Sequence, residues 1–251
     1  MVKKARTSQR REESLSRDRI IEASIELLDS SGEDGLTFRA LSERLATGPG
    51  AIYWHIANKS DLVTAACDTI VARTTNAPLV SAKLRLTPGK TPGTKLRKAP
   101  GETPEAHIRA LALGMFDAMD AHPWIGSALT RAPGHFPMVR ILERIGRQVH
   151  ALGVPRKAQW AVVSALLSYI LGVAGQNAAN GQFARMRGLD RSDFLEKLST
   201  VWSQLDPDEY PFVRSVAGQL RAHDDRVDFL AGIDLILRGI DPPQRRRRPR
   251  R

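Results

Sequence analysis

Residues 37–59 read TFRALSERLATGPGAIYWHIANK, and this stretch decides the fold. Apolar residues recur at three- and four-residue spacing over 38–45 behind Thr37, a pattern that predicts a short helix. Pro49 suits the first position of a new helix, predicted over about 49–55, because its missing N–H would be unpaired there. Two short helices joined by a tight turn form a helix-turn-helix, whose second helix can lie in the major groove of B-DNA.

The second of these helices carries more large side chains than it needs to pack against the rest of the chain. Ile52 and Ile56 are four residues apart and can anchor the helix inward. Tyr53, Trp54 and His55 are then left on or near its exposed side. Because such groups are poorly soluble when exposed together, they imply a partner surface. The alternative is a small helical hairpin packed in a core.

Helical spacing continues on both sides of this motif and predicts an all-α protein. A first helix is predicted over about 17–30, between a capping Ser16 and a stop signal at Gly32. Another is expected to open at Asn58, where a capping residue precedes an acidic residue by three positions. Further helices are predicted after Pro104 and near 137–152, 156–178, 190–204, 208–222 and 225–240.

Two of these helices are apolar on more than one face, over 160–174 and 229–240. A helix that is apolar around most of its circumference must be covered on several sides. Burial in the core of a single chain and a dimer seam formed by the helices near 156–178 and 225–240 both satisfy this requirement, and the pattern alone does not choose between them.

The net charge of +11 is unevenly distributed along the chain. Residues 1–19, 83–98 and 245–251 carry +4, +6 and +6 respectively, so the rest of the chain is net −5. Blocks of like charge are either solvated tails or contacts to a polyanion such as nucleic acid. The predicted organisation is a basic arm (1–16), a helix-turn-helix domain (17–76), a basic Pro/Gly-rich loop (77–103), a regulatory and dimerisation domain (104–241) and an Arg-rich tail (242–251).

Other functional classes lack support in the sequence. No uncharged apolar run is expected to approach the ~18 to 20 residues of a membrane span, and the basic start leads into charged residues, so we expect a cytoplasmic protein that does not bind membranes. The single cysteine, Cys67, is expected to pack between helices. No His-x-x-x-His pair, nucleophile elbow or complete phosphate-binding loop occurs, so we expect no enzyme activity, no cofactor and no metal.

The motif Leu36-Thr37-x-Arg39-x-Leu41-x-x-x-Leu45, followed by Ile52-Tyr53-Trp54-His55-x-x-Asn58-Lys59-x-x-Leu62, resembles the DNA-binding pattern of the TetR family of bacterial transcriptional repressors. The resemblance covers 17–72 well and continues more weakly toward the C-terminus. It implies that Arg39 reads a guanine edge, that Thr47 and Ala51 sit at the groove, and that Trp54 lies beside them. It further implies that Tyr53 and His55 hold phosphate or a base edge and that Lys59 clamps phosphate.

The recognition helix departs from the family pattern at its start, where Gly48, Pro49, Gly50 and Ala51 offer almost no hydrogen-bonding side chains. Few side chains are therefore available for direct base readout, and Arg39, Tyr53, His55 and DNA shape must contribute more of the specificity.

The resemblance also implies a C-terminal domain like that of the tetracycline-repressor branch, with a pocket for a small organic effector. In that branch the drug is held as a magnesium chelate, but the matching positions here are Ser127 and Gln176, which carry no charge. We therefore expect a largely apolar effector bound without metal. The candidate pocket residues are Met115, Phe116, Trp124, Phe136, Trp160, Tyr169 and Gln176.

The sequence thus predicts a homodimeric repressor of a double-stranded DNA operator. Two functions from other classes remain open: a non-specific architectural DNA-binding protein that uses its basic ends, and a helical enzyme. The operator, the regulated genes, the identity of the effector and whether it releases or promotes DNA binding do not follow from the sequence.

Overall fold

The computed structural model describes residues 15–76, 103–131 and 134–240. Every regular element in these segments is a helix, which confirms the predicted all-α class. The α-helices are α1 Arg17–Gly35, α2 Phe38–Leu45, α3 Pro49–Tyr53, α4 Lys59–Asn76, α5 Pro104–Ala121, α6 Ile125–Arg131, α7 Phe136–Ala151, α8 Arg156–Met186, α9 Arg191–Ser203, α10 Pro211–Ala217 and α11 Asp225–Arg238, with a 3₁₀ helix over Gly218–Ala222.

The chain packs as two compact units. The N-terminal unit contains the chain up to Arg73 together with Trp124–Met138. The second unit contains Thr74–Pro123 and the chain from Val139 onward. The structure therefore groups α6 with the N-terminal helices, whereas the boundaries expected from the sequence assign it to the regulatory domain.

Helix α1 follows the predicted start and stop signals. The side chain of Ser16 accepts a hydrogen bond from the backbone N–H of Arg19 at 3.2 Å, which caps the first turn. At Gly32 the backbone turns to a φ of 65°, a conformation that glycine adopts without steric cost. The straight part of the helix ends there, and one further turn continues to Gly35, beyond the end expected near residue 30.

The helix-turn-helix depends on a tight turn after α2. Thr37 caps α2 by accepting a hydrogen bond from the N–H of Ala40 at 3.1 Å. Ala46 adopts a left-handed conformation with a φ of 50°, and Gly48 then extends the chain into Pro49, the first residue of α3. The predicted turn and the use of proline at the start of α3 are confirmed, although α3 ends at Tyr53 rather than near residue 55.

Buried apolar side chains from α1 to α4 form the core of the N-terminal unit. Cys67 lies in this core, as expected for a packing residue. Burial, with a smaller contribution from the nearby charge of Asp68, raises the pKa of the Cys67 thiol to about 12. The most buried members of this core are Ile20, Leu28, Leu36, Leu41, Ile52, Leu62, Ala66 and Val71.

The second unit is organised around α5, α8 and α11. Helix α5 packs along α8, and α11 packs against both. Helix α9, helix α10 and the 3₁₀ helix pack together, and α9 also contacts α8. The core residues of this unit include Ile108, Met115, Met119, Leu166, Ile170, Ala174, Phe229 and Ile233.

Helices α8 and α11, which the sequence marks as apolar on more than one face, are only partly buried. In α8, Leu166 and Ile170 are buried, whereas Trp160 is 69% exposed. In α11, Ile233 is buried, whereas Leu235 is 65% exposed. Core burial within one chain therefore accounts for only part of the apolar pattern of these helices.

Helix α8 is also long and apolar enough to cross a membrane, by length and composition alone. No Asp, Glu, Lys or Arg occurs from Ala158 to Ala184, so the expectation that no uncharged run approaches this length was wrong. Because the core helix of a soluble protein can pass the same test, this single helix is weak support for a membrane location.

Most other helices lie close to their predicted positions. Helix α8 is longer than expected because it continues past residue 178 to Met186. Helix α6 was not predicted, since its buried residues Ile125 and Leu129 make only one repeat of the helical spacing. The basic loop predicted over 77–103 falls almost entirely outside the described residues, as do the basic arm and the Arg-rich tail.

The left-handed conformation of Ala46 predicts that Ala46→Gly stabilises the protein. Left-handed backbone costs about 1 to 2 kcal/mol for a residue with a Cβ, and glycine avoids most of that cost while losing some chain entropy. We expect urea denaturation to show a free energy of unfolding higher by up to about 1 kcal/mol. Ala40→Gly, inside α2, is the control and is expected to lower it by about as much. A lower stability for Ala46→Gly would contradict the prediction.

Candidate nucleic-acid interface and ligand cleft

Helix α3 is anchored on one side and exposed on the other. Ile52 and Ile56 are both buried, which confirms the inward anchor predicted from their spacing. On the opposite side Tyr53 is 54% exposed, Trp54 is 90% exposed and His55 is also exposed. A tryptophan this exposed on a five-residue helix presents a large flat group to a partner rather than to the core of its own chain.

Neighbouring side chains fix the orientation of part of this surface. The ring of Tyr53 stacks on Phe38 of α2, with centroids 4.4 Å apart and planes 12° from parallel. Arg39 Nε donates to Glu43 Oε1 at 3.0 Å along the exposed side of α2. Thr47 and Ala51 are half-buried where the turn enters α3. All of these side chains belong to the N-terminal unit.

The start of α4 places Lys59 beside the end of α1. Asn58 Oδ1 accepts a hydrogen bond from the N–H of Asp61 at 2.9 Å, so Asn58 opens α4 as the sequence predicts. The Lys59 ammonium donates to the backbone carbonyl of Glu33. This ammonium is exposed, and because lysine carries three N–H donors, the bond leaves others for a second acceptor.

Helix α6 is joined to the end of α1 by polar contacts that sequence reasoning missed. The indole N–H of Trp124 donates to Asp29 Oδ1 at 2.8 Å. Ser127 Oγ donates to Glu33 Oε1 at 2.9 Å, and the Arg131 guanidinium forms an ion pair with the same carboxylate. The hydrogen bond from Arg131, followed by that from Ser127, holds the pKa of Glu33 below its ordinary value despite partial burial.

These contacts join residues that are far apart in sequence, so no local sequence pattern predicts them. The only available signal was the stop at Gly32, which places Glu33 at a helix end. Glu33 thus meets Arg131 through its side chain and Lys59 through its carbonyl.

The second unit contains a cleft of about 770 Å³. Its wall is mostly polar and charged, which differs from the apolar lining expected from the sequence. A smaller hollow of about 270 Å³ shares part of this wall, including Phe116 and Asn177. The residues come from α5, α8, the start of α9, the end of the 3₁₀ helix and the start of α11.

Three aromatic rings line the smaller hollow, and one of them, Phe116, also borders the cleft. Phe229 packs against Phe116 with centroids 4.8 Å apart and against Tyr169 with centroids 5.6 Å apart. The Tyr169 hydroxyl donates to the backbone carbonyl of Phe229 at 3.1 Å. Gly232 permits this approach, since a Cβ there would lie 1.9 Å from the Tyr169 hydroxyl oxygen. Burial, followed by the charge of Asp228, raises the pKa of Tyr169.

Ion pairs cross the polar part of the cleft. Arg226 Nη1 donates to Asp117 Oδ1 at 2.5 Å, and Arg191 Nε donates to Asp225 Oδ2 at 2.6 Å. His223 lies between two carboxylates, with Nε2 3.0 Å from Asp225 Oδ1 and Nδ1 2.8 Å from Asp228 Oδ2. These pairs hold the start of α11 against α5 and α9.

The structure brings together only some of the seven expected ligand residues. Phe116, Tyr169 and Gln176 line the smaller hollow. Met115 is fully buried in the core, and Trp160 is exposed near the start of α8. The other two, Trp124 and Phe136, belong to the N-terminal unit, where Phe136 lines a hollow of about 310 Å³ that also includes His55 and Arg17. Within 15–76, 103–131 and 134–240, no group of three His, Cys, Asp or Glu side chains is arranged to hold a metal ion.

Comparisons with known proteins agree with this architecture. Residues 20–66 match the family model for bacterial regulatory proteins of the tetR family. The tetracycline repressor protein class D of Escherichia coli is 42% identical over 59 residues, so the match spans 24% of this chain and 27% of that repressor. The chain therefore aligns with about a quarter of the length of this curated relative.

Solved structures extend the likeness over most of the chain. The transcriptional regulator SCO7222, a TetR from Streptomyces coelicolor, is 48% identical, with a TM-score of 0.74 over 90% of this chain and 98% of that one. The TetR family protein ActR of Streptomyces coelicolor, solved in complex with actinorhodin, has a TM-score of 0.64 at 18% identity, over 90% of this chain and 97% of that one. The second likeness shows the fold alone.

The lowered pKa of Glu33 predicts a pH-dependent contribution to stability. A carboxylate whose pKa is lower in the folded state stabilises it above the unfolded value, about 4.3, and this contribution is lost as the pH falls through the folded pKa. Glu33→Gln should therefore lower the free energy of unfolding by roughly 0.5 to 1 kcal/mol at neutral pH, since the pair is partly exposed, and the difference should shrink as the pH falls below about 4.3.

Denaturant titrations at several pH values would measure this difference. Glu43→Gln is the matched control, because Glu43 also forms an ion pair with an arginine, Arg39, but lies on the exposed side of α2. Equal pH profiles for the two variants would contradict the role assigned to Glu33.

Proposed function

The chain belongs to the TetR family of bacterial regulatory proteins, and from this premise we propose that it is a homodimeric transcriptional repressor. It binds a pseudo-palindromic DNA operator through α3 and is released when a small organic effector occupies the cleft of its second unit. It works in the cytoplasm and catalyses no reaction. The observation that carries this proposal is the exposure of Tyr53, Trp54 and His55 on an anchored α3.

The DNA contacts proposed for the N-terminal unit follow from where its side chains lie. Arg39 is exposed on α2 and reaches a guanine edge by exchanging its bond to Glu43 for bonds to the base. Tyr53 and His55 hold phosphate or a base edge. Trp54 covers the backbone or sugar beside them, and Lys59 supplies a phosphate contact. Thr47 and Ala51 lie at the groove, where their small size permits close approach.

The homodimer is supported by the uncovered faces of α8 and α11. Trp160 and Leu235 remain exposed on helices whose other faces are buried. A second copy of the chain covers such faces in a two-fold arrangement, since an isologous interface places the same patch of each subunit in contact. This also gives the apolar length of α8 a role other than membrane insertion.

Repression and release are two states of one dimer. In the DNA-competent state the recognition helices lie about one helical turn, roughly 34 to 36 Å, apart. An effector that binds the other state more tightly shifts the population away from DNA. The cleft supports this role because it offers a volume of about 770 Å³, within the range of small-molecule sites.

A non-specific architectural DNA-binding protein remains the second candidate, favoured by the charge of the basic ends. The two candidates differ in whether they distinguish one DNA sequence from another. An architectural protein binds random and selected DNA with similar affinity, whereas a repressor prefers its operator.

We expect selection from random duplexes to return an inverted repeat. A two-fold dimer presents α3 twice, so each half-site is read by the same contacts. Competition with random DNA then measures the preference, and specific sites of this kind exceed random DNA by about 10³-fold or more. Recovery of sequences without a repeat, or equal competition by random DNA, would favour the architectural candidate.

Two substitutions separate base readout from phosphate contact. Arg39→Ala should cost roughly 1 to 3 kcal/mol in operator binding and relax the preference at one base pair per half-site. Lys59→Ala should weaken binding to all sequences and lower the salt slope by about 1 per protomer. Fluorescence anisotropy on single-base operator variants measures both effects. Glu43→Ala is the control for loss of the Arg39 ion pair, and equal loss of base preference in both test variants would contradict the assignment.

A further inference from the structure

We propose that the effector is an organic anion with a planar aromatic body. This inference rests on the proposed ligand-responsive function and defines the chemistry of the molecule that its cleft accepts.

The carboxylates of the cleft already have partners within the chain. Asp117 pairs with Arg226, and Asp225 with Arg191 and His223. Asp228 pairs with His223 in turn. The remaining acidic residues of the wall accept hydrogen bonds: Asp120 from Asn177, Asp190 from the N–H of Asp193, and Asp224 from the N–H groups of Arg226 and Val227.

Two arginines of the same wall, unlike these carboxylates, have no partner of opposite charge within the described part of the chain. Arg185 and Arg221 line the cleft, and neither has a carboxylate within ion-pair distance among the residues that the structure describes. The first of them lies beside Gly181, where a Cβ would be in ordinary van der Waals contact with Arg185 Nη1 at 3.5 Å. Among the described residues, Arg185 and Arg221 are therefore the charged side chains of the cleft without a partner, whereas each acidic side chain of the wall already accepts at least one hydrogen bond or ion pair.

The contacts of these arginines and carboxylates determine which ligand charge the cleft can bind without loss of an existing ion pair or hydrogen bond. An anionic ligand pairs with a guanidinium directly, and a carboxylate matches its geometry with two parallel hydrogen bonds. A cationic ligand instead competes with the ion pairs of Asp117 and Asp225, or shares a carboxylate that already accepts hydrogen bonds from the chain. The arrangement thus favours an anion.

The aromatic wall provides the second part of the recognition. Phe116 borders both the cleft and the smaller hollow, and Phe229 and Tyr169 continue the apolar surface behind it. Flat aromatic groups pack well against such rings by offset stacking or edge contact. The amides of Gln176 and Asn180 lie beside the rings, where they can bond oxygen atoms on the planar body.

The test uses three probes of equal size: 2-naphthoate, 2-naphthamide and 2-naphthylmethylammonium. Isothermal titration calorimetry on the full chain should show that naphthoate binds more tightly than the neutral amide and that the ammonium binds least. In the double variant Arg185→Gln/Arg221→Gln, naphthoate affinity should fall about tenfold or more, whereas naphthamide affinity should change less than about twofold.

Arg187→Gln is the matched control. Arg187 lies next to the same end of α8, but its guanidinium lies 4.5 Å from the centroid of the Phe183 ring and does not line the cleft. Naphthoate binding by this variant should equal that of the unmodified chain. Preference for the ammonium, equal affinity for all three probes, absence of saturable naphthoate binding, or an equal loss in the control would each overturn the proposal.

Operator binding separates this inference from the function on which it rests. Without probe, the double variant and the control should bind the selected operator like the unmodified chain, and naphthoate should weaken operator binding only where the arginines are intact. Intact operator binding with no anion preference overturns the inference alone. Absence of sequence-specific DNA binding by the unmodified chain overturns the repressor, while the calorimetry still reports the charge preference of the cleft.

Discussion

The burial of Ile52 and Ile56 is the constraint on which the candidate DNA interface depends. A helix of five residues has almost no stability of its own, because nucleation costs more than so few hydrogen bonds return. Helix α3 therefore exists and keeps its orientation because these two side chains are buried in the core. When Ile52 and Ile56 are buried, the residues between them face outward. Tyr53 and Trp54 are therefore exposed by the same packing that forms the helix.

The end of α1 extends this dependence to a neighbouring helix. Gly32 redirects the backbone so that the carbonyl of Glu33 meets Lys59 while its carboxylate meets Ser127 and Arg131. Helix α6, which the sequence did not predict, is thereby held close to the start of α4, where Lys59 supplies a proposed phosphate contact. The packing of α3 and the contacts of Glu33 act at different points of one unit, one through apolar burial and the other through charge-assisted hydrogen bonds.

The sequence predicted what depends on local spacing and missed what depends on distant partners. Periodic apolar residues located α2 and α4, and the family resemblance identified the N-terminal unit. Phe116, Tyr169 and Gln176, three of the expected ligand residues, line one hollow, and their role in binding stays a prediction. The charged wall of the cleft was not predicted, because His223 and Arg191 find their carboxylate partners only where the starts of α9 and α11 come together in the fold. Trp124 was also expected to contact a ligand, but it lies in the N-terminal unit, where its indole donates to Asp29.

The burial of Cys67 restricts the kinds of signal that this chain can sense. It is the only sulfhydryl group in the sequence, and with a pKa of about 12 only about one molecule in 10⁵ carries a thiolate at neutral pH. Peroxides, electrophiles and heavy-metal ions that report through a reactive cysteine therefore find no accessible nucleophile of that type. A change in thiol redox conditions therefore leaves the molecule unaltered at this position, which agrees with the proposed non-covalent effector.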